Sequence, residues 1–181
     1  MELPTFRYDP DPIGTGSVKV SDTICEVCGQ ARGYVYTSHA YSRKEYTDCI
    51  CPWCIADGSA HEKLGVEFFD GAGIGGYGLW DAVPQTVIDE IVFRTPGFSG
   101  WQQEKWFTHC GDAAAFLGRV GFEELQTYGE DAIEAIRDNI GFYDDDDWEE
   151  FFEKLDKDGA PCAYLFRCLH CGTYGGYTDT D

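Results

Sequence analysis

The sequence predicts an α+β fold, with zinc-knuckle, ribbon-like β elements at both ends and a helical middle. Three observations lead to it. Cysteines paired as Cys-x-x-Cys stand near each end of the 181-residue chain. Short runs of β-branched and aromatic residues flank them. Between them, apolar residues recur at helical spacing. The expected organisation is a single domain over 1–181, with an N-terminal knuckle part (1–65), a helical acidic part (83–158) and a C-terminal knuckle (159–181). Apolar residues make up 43% of the chain and aromatics 15%, which suffices for a core and argues against disorder.

Taken in order, Pro4, Pro10, Pro12, Gly14 and Gly16 punctuate the first seventeen residues, so turns and short strands are expected there. Thr23-Ile24-Cys25-Glu26-Val27-Cys28-Gly29 reads as a tight knuckle, and Gly33-Tyr34-Val35-Tyr36-Thr37 as a strand. Residues 49–54 form the second knuckle, with a short helix expected over 55–64. Residues 71–78, Gly-Ala-Gly-Ile-Gly-Gly-Tyr-Gly, read as a mobile loop and lack the Gly-Lys-Ser/Thr ending of a phosphate-binding loop. Pro84 suits a first helical position. Val87, Ile88, Ile91 and Val92 then make one apolar stripe, ended by Arg94-Thr95-Pro96-Gly97. Residues 113–118 are expected to be helical. Ile133, Ile136 and Ile140 mark another helix. Trp148, Phe151, Phe152 and Leu155 mark a third, stopped near Gly159-Ala160-Pro161. Ala163-Tyr164-Leu165-Phe166 reads as a strand, followed by the knuckle Cys168-Leu169-His170-Cys171-Gly172 and a last strand.

Nine cysteines is an odd number, so internal disulfides cannot pair them all. Met1-Glu2-Leu3-Pro4 lacks the basic and apolar regions of a secretory signal, and a cytoplasmic location is expected. Clustered thiols there hold metal more readily than they form bridges. Zinc takes four thiolate or imidazole donors in a tetrahedron. Cys25, Cys28, Cys51 and Cys54, two Cys-x-x-Cys turns with twenty-two residues between them, have near zinc-ribbon or treble-clef spacing. Cys49 competes with Cys51, but Cys51-Pro52-Trp53-Cys54 has the knuckle spacing. Cys168 and Cys171 need two further ligands. The adjacent His109 and Cys110 are preferred, with Cys162 the other option. His170 lies inside its knuckle, where side chains turn away from the metal. One or two zinc ions are therefore expected.

A closed site of four protein ligands is structural. With only three ligands at the second site, water could take the fourth place. Asp112 or Glu104 would then serve as base, with Gln102, Gln103 and Glu104 lining a pocket. That zinc-enzyme reading is the alternative, although no His-Glu-x-x-His spacing is present. A dithiol redox role for Cys51 and Cys54 lacks its βαβ context.

The formal charge is −20, which disfavours nucleic acid and anionic membranes and attracts basic partners. No run of about 18 apolar residues implies a membrane span. Residues 123–158 hold fifteen acids against three bases, more than half of the imbalance. Asp144, Asp145, Asp146 and Asp147 open the Trp148 helix, where the helix dipole favours them. They lack the glycine and terminal glutamate of a calcium loop. With Glu149, Glu150 and the aromatics Tyr143 and Trp148, they form the expected partner-binding face, while Phe151 and Phe152 are expected in the core.

The blocks Leu3-Pro4-Thr5-Phe6-Arg7-Tyr8-Asp9-Pro10-Asp11-Pro12 and Cys51-Pro52-Trp53-Cys54-Ile55-Ala56-Asp57-Gly58 resemble the bacterial CbrC-like family. Arg94-Thr95-Pro96-Gly97-Phe98, Trp101-Gln102-Gln103-Glu104, His109-Cys110-Gly111-Asp112 and the last knuckle extend the resemblance over nearly the whole chain. One departure is Ala113-Ala114-Ala115, where the family often carries a cysteine. The resemblance implies a bacterial, cytosolic protein without an established enzyme activity. It also implies kinship with tolerance to a nuclease colicin and with toxin-immunity proteins. The expected function is that of a zinc-stabilised acidic binding protein, not an enzyme, whose partner is a basic toxin domain. A zinc-ribbon adaptor for a basic protein is a further alternative.

Overall fold

A computed structural model describes residues 2–141 and 144–180, with the backbone alone of Asp145. Phe142 and Tyr143 lie outside the described residues. Near the N-terminus, β1 (Val18–Val20) pairs antiparallel with β2 (Tyr34–Tyr36). The first knuckle lies between them and is closed by a bridge between Ile24 and Ala31. Helix α1 (Pro52–Ala56) begins directly after Cys51, with Pro52 where its missing N–H costs nothing. The helix expected over 55–64 thus starts earlier and divides in two. Gly58, at φ 80°, breaks it, and α2 (Ser59–Leu64) follows and ends on left-handed Gly65.

The glycine-rich residues 71–78 are not the loose loop their composition suggests. They form two 3₁₀ turns, Gly71–Gly73 and Gly76–Gly78. Gly75 N–H donates to the Trp106 carbonyl and Trp106 N–H to the Gly73 carbonyl, each at 3.0 Å. A side chain at Gly73 would meet the Glu104 carbonyl at 2.5 Å, so this glycine allows a close backbone approach. Helix α3 (Gln85–Arg94) follows, with Pro84 as its cap rather than its first residue, and buries Ile91 and Val92.

The chain then makes a small hairpin from β3 (Thr108–His109) and β4 (Asp112–Ala113), and continues into β5 (Ala115–Val120). The helix expected over 113–118 is therefore strand. Alanine's helix propensity is weak against burial, and Ala113, Ala114 and Ala115 are all buried. A bulge between Phe116 and Gly118, with Gly118 at φ 117°, also interrupts the alternation that would have marked a strand. Helices α4 (Phe122–Tyr128), α5 (Glu130–Ile140) and α6 (Asp145–Glu153) come next. The chain ends with β6 (Cys162–Arg167) and β7 (Tyr174–Asp179), which complete an antiparallel sheet in the order β5-β6-β7.

Strand periodicity gives this sheet two faces. Ala163 and Leu165 join Val120, Leu125, Ala132, Ile136, Trp148 and Leu155 beneath the helices. Cys162, Tyr164 and Phe166 face the opposite core, built from Tyr8, Phe69, Phe98, Trp106, Phe107, Phe116 and Tyr177. Fully buried Trp106 donates its indole N–H to the Ala114 carbonyl at 3.0 Å, so its polar atom is satisfied. A third core of Phe6, Val27, Tyr36, Ile50, Ile55, Val66 and Phe68 surrounds the N-terminal cysteines. Among the described residues, no helix is long and apolar enough to cross a membrane.

Asp9 is fully buried in the turn that follows Tyr8. Burial pushes its carboxyl up to about 6, against the opposing effect of the Ser17 and Thr15 hydroxyls that donate to it. A carboxyl raised on folding stabilises the fold below its unfolded pKa, and that contribution is lost as pH rises through the folded value. Asn keeps the acceptor without the charge. Asp9→Asn is expected to remove a loss of stability between about pH 4 and pH 7. Denaturant titrations of both proteins across that range would show it as a narrowing gap toward low pH.

Candidate metal centres

The first cluster grows from two different local structures. Gly29 adopts φ 68° just after Cys28 and returns its N–H to the Cys25 carbonyl at 2.8 Å. Only a residue tolerant of left-handed backbone reverses the chain this tightly. Val27 N–H and Cys51 N–H donate to Cys25 Sγ at 3.4 and 3.3 Å. The other arm is helical: Cys51 caps α1 and Cys54 lies one turn on, so their sulfurs share a face. The sulfurs of Cys25 and Cys54 are 3.9 Å apart, those of Cys28 and Cys51 3.9 Å, and those of Cys51 and Cys54 3.5 Å. All four lie within 4.8 Å of one another. A tetrahedron with bonds of about 2.3 Å has edges of about 3.8 Å, whereas a disulfide needs about 2.05 Å. The cysteines are free thiols placed as such a tetrahedron places them.

The second cluster uses a hairpin tip and another knuckle. His109 pairs with Asp112, which leaves Cys110-Gly111 as a two-residue turn with φ 57° and 70°. Such turns need left-handed backbone at both positions, which is easy for Gly111 and strained for Cys110. Opposite, the link from β6 to β7 repeats the first knuckle. Gly172, at φ 78°, donates its N–H to the Cys168 carbonyl at 3.1 Å, and His170 N–H reaches Cys168 Sγ at 3.5 Å. His109 Nδ1 stands 3.3 Å from both Cys110 Sγ and Cys171 Sγ, and those sulfurs are 3.8 Å apart. With Cys168, the four donors again lie within 4.8 Å of one another. The structure thus brings together both quartets singled out in the sequence, in arrangements compatible with metal binding.

Their electrostatics favour a cation. The Cys51 thiol donates to Cys25, which, with N–H groups of Cys51, Cys28 and Val27, pulls the Cys25 thiol down to about 4. Cys51 is pushed up by that same bond and by burial, and Cys54 mainly by burial, to about 11. One thiolate therefore forms readily and its neighbours resist. A divalent cation overcomes this by supplying the missing positive charge. In the second quartet, the hydroxyl and then the N–H of Thr173 pull the Cys171 thiol down to about 6.

The spare cysteines separate cleanly. Cys49 is half-buried and outside the quartet. Cys162, considered as an alternative ligand, is fully buried on β6 in the aromatic core, where it packs as a small hydrophobe. His170 turns away from the sulfurs, and its Nε2 lies 2.8 Å from Asp112 Oδ2.

Asp112 joins three parts of the chain. Besides His170, it accepts from the Arg7 guanidinium at 2.6 Å, the Tyr8 hydroxyl at 2.8 Å and the Ala113 N–H at 2.9 Å. Burial raises its pKa, but these donors outweigh burial and hold it below the ordinary carboxylate value. A carboxylate so held is a poor general base. The other groups of the zinc-enzyme reading are engaged elsewhere. Glu104 accepts from the Tyr41 hydroxyl and the Gly100 N–H, Gln103 donates to Asp70, and Gln102 donates to the Thr180 carbonyl. Arg7 and Tyr8 were not anticipated as supports of the second quartet. No spacing rule joins residues more than a hundred positions from Asp112.

On α6, Asp144 caps the helix by accepting from Asp146 N–H at 2.9 Å, and Asp144, Asp146, Asp147, Glu149 and Glu150 are exposed. Trp148 requires a correction. It is 5% exposed, stacked on Phe152 at 5.3 Å, and belongs to the core under the sheet, so it is no surface anchor. Its spacing to Phe151, Phe152 and Leu155 puts it on the helix's apolar stripe. Tyr143, the other expected anchor, lies outside the described residues.

Comparison with known proteins places the chain. The model of an uncharacterised protein family, UPF0167, matches residues 3–180. A UPF0167 protein of Mycobacterium bovis is 48% identical over 180 residues, covering 98% of this chain and 94% of its own. A UPF0167 protein of Mycobacterium tuberculosis matches to the same extent. One of Pseudomonas aeruginosa is 43% identical over 172 residues, covering 94% of this chain and 93% of its own. No solved structure matches. The chain belongs to the UPF0167 family.

The burial of Trp148 has a measurable consequence. Trp148→Ala is expected to lower folding stability by about 3–5 kcal/mol, as loss of a buried aromatic does. Denaturant titration measures it, and a loss below about 1 kcal/mol would return Trp148 to the surface.

Proposed function

We propose that this member of the UPF0167 family binds two zinc ions as structural cross-links and uses its acidic surface to bind a basic protein. The observation behind the metal reading is the completeness of both donor sets. Cys25, Cys28, Cys51 and Cys54 would hold one ion, and His109, Cys110, Cys168 and Cys171 the other. Four sulfur and imidazole donors at tetrahedral spacing suit zinc above the harder cations, which prefer oxygen. When bound, zinc would neutralise thiolate charge and tie the knuckles to the segments opposite them. Four protein ligands leave no position for a reacting water, and Asp112 is held by its own donors, so a hydrolytic role is not proposed.

The partner reading rests on charge. A net −20, with the exposed carboxylates of Asp144, Asp146, Asp147, Glu149 and Glu150 on one helix, steers encounter with a basic protein and repels nucleic acid. Asp145 adds its charge to the same run. The resemblance to the CbrC-like family makes the partner more specific. A nuclease toxin is basic because its substrate is a polyanion, and carboxylates can occupy its phosphate-binding groups. In this reading the protein is an immunity or tolerance protein acting in a bacterial cytoplasm. Without Trp148 at the surface, the carboxylates supply most of the recognition.

Protein purified under reducing conditions is expected to contain two zinc ions per chain by elemental analysis. Cys51→Ser and Cys171→Ser should each retain one, and fewer than two in the unmodified protein would rule the assignment out. Replacing Asp144, Asp146, Asp147, Glu149 and Glu150 by their amides is expected to weaken binding to a basic nuclease domain about ten-fold or more and to flatten its salt dependence. Unchanged affinity for a domain that the unmodified protein binds would show that α6 is not the contact face.

A further inference from the structure

The two quartets share donor chemistry but differ in exposure. In the first, Cys25, Cys51 and Cys54 are buried and Cys28 is half-buried. In the second, Cys110 and Cys171 are exposed and only Cys168 is buried among the sulfurs. Cys110 sits at the tip of the β3–β4 hairpin, 3.8 Å from Cys171 on the knuckle across from it. A metal-bound thiol is deprotonated, and susceptibility of a thiolate to oxidation follows its accessibility. The two exposed sulfurs need only close from 3.8 Å to about 2 Å to bond.

We propose that the second quartet is a thiol oxidation site, at which a hydroperoxide converts Cys110 and Cys171 to a disulfide and releases the metal, while the first quartet keeps its own. This rests on the reading of both quartets as zinc sites. The chemistry balances with the hydroperoxide alone as oxidant. The Cys110 thiolate attacks one peroxide oxygen, an S–O bond forms, the O–O bond breaks, and hydroxide leaves to take up a proton. The Cys171 thiolate then attacks the Cys110 sulfur, an S–S bond forms, the S–O bond breaks, and a second hydroxide leaves and is protonated. Two sulfurs lose two electrons, and hydrogen peroxide becomes two waters.

The metal then has only His109 and Cys168 as donors and is no longer held. The hairpin tip stays attached to the knuckle through the new bond, and the contacts of Asp112 with Arg7, Tyr8 and His170 do not involve the sulfurs. The change is therefore local, and it is reversible. A dithiol reductant restores both thiols as it becomes a disulfide itself, and added zinc rebinds.

The experiment titrates zinc-loaded protein with hydrogen peroxide. Released zinc is read with a chromogenic chelator, and disulfides are mapped by differential alkylation and mass spectrometry. Metal content before treatment separates the two readings, since fewer than two zinc ions overturns the metal assignment and this step with it. From two bound ions, the expected result is loss of one, with Cys110 joined to Cys171 and Cys25, Cys28, Cys51 and Cys54 still reduced. Dithiothreitol and zinc should restore the second ion. The proposal is overturned by loss of both ions together, by a disulfide among the first four cysteines, by Cys168 pairing with Cys171, or by retention of both ions in excess peroxide. Cys110→Ser tests the nucleophile. If it loads two ions, it is expected to keep both at peroxide levels that strip one from the unmodified protein. If it loads only one, the disulfide map of the unmodified protein decides.

Discussion

Sulfur atoms gathered within 4.8 Å of one another at two places are the constraint around which the rest of this structure is arranged. Four thiols cannot ionise together in a buried space without a cation, and cannot relax apart while the surrounding core holds them. Around the first quartet that core is Phe6, Val27, Tyr36, Ile50, Ile55, Val66 and Phe68, and almost every strand and helix there is short. A three-residue strand pair and two single-turn helices bury little on their own. Their positions depend on the core packed around Cys25, Cys28, Cys51 and Cys54. The second quartet is different in kind. It lies at the end of a three-stranded sheet that has its own two-sided core, where a hairpin tip meets the link from β6 to β7.

Asp112 explains how the second quartet is placed. Its carboxylate lies between the hairpin and the knuckle and meets Arg7 and Tyr8 from the N-terminal segment, which itself runs beside β5 through a bond from Phe116 N–H to the Tyr8 carbonyl. Buried charge is costly unless its donors are complete, and here they are. The same four donors that stabilise the carboxylate remove it as a base. Around His109, then, the Asp112 carboxylate ties the hairpin, the knuckle and the N-terminal segment together. The acidic run behaves similarly in part: Asp144 caps a helix that buries Trp148, Glu150 pairs with Lys154 at 2.6 Å, and Asp146, Asp147 and Glu149 are exposed.

Much of this was legible in the residues themselves. Two Cys-x-x-Cys turns with glycine after one of them specify a knuckle, because sulfur spacing and left-handed backbone are local properties. The strand over 34–36 and the β6-knuckle-β7 unit followed from short β-branched and aromatic runs beside the cysteines, and helix α5 from apolar residues at helical spacing. The errors fall where a local signal met a stronger tertiary one. Ala113, Ala114 and Ala115 have helical propensity, yet they are buried in extended chain, with Ala113 paired to β3 and Ala115 to β6. The glycines of residues 71–78 suggested mobility, yet pairing of that segment with Trp106 fixes two turns.

The sequence by itself determined the donor quartets and the α+β class, since ligand type, turn residues and apolar spacing are properties of short segments. Only the tertiary structure decided how exposed each cysteine is, where Trp148 goes, and what Asp112 does. Cys162 and Cys171 are the same residue type, but one is enclosed by aromatic rings and the other is open to solvent. Exposure, long-range hydrogen bonds and the choice between core and surface are set by elements packing together from distant parts of the chain. A linear pattern has no term for that.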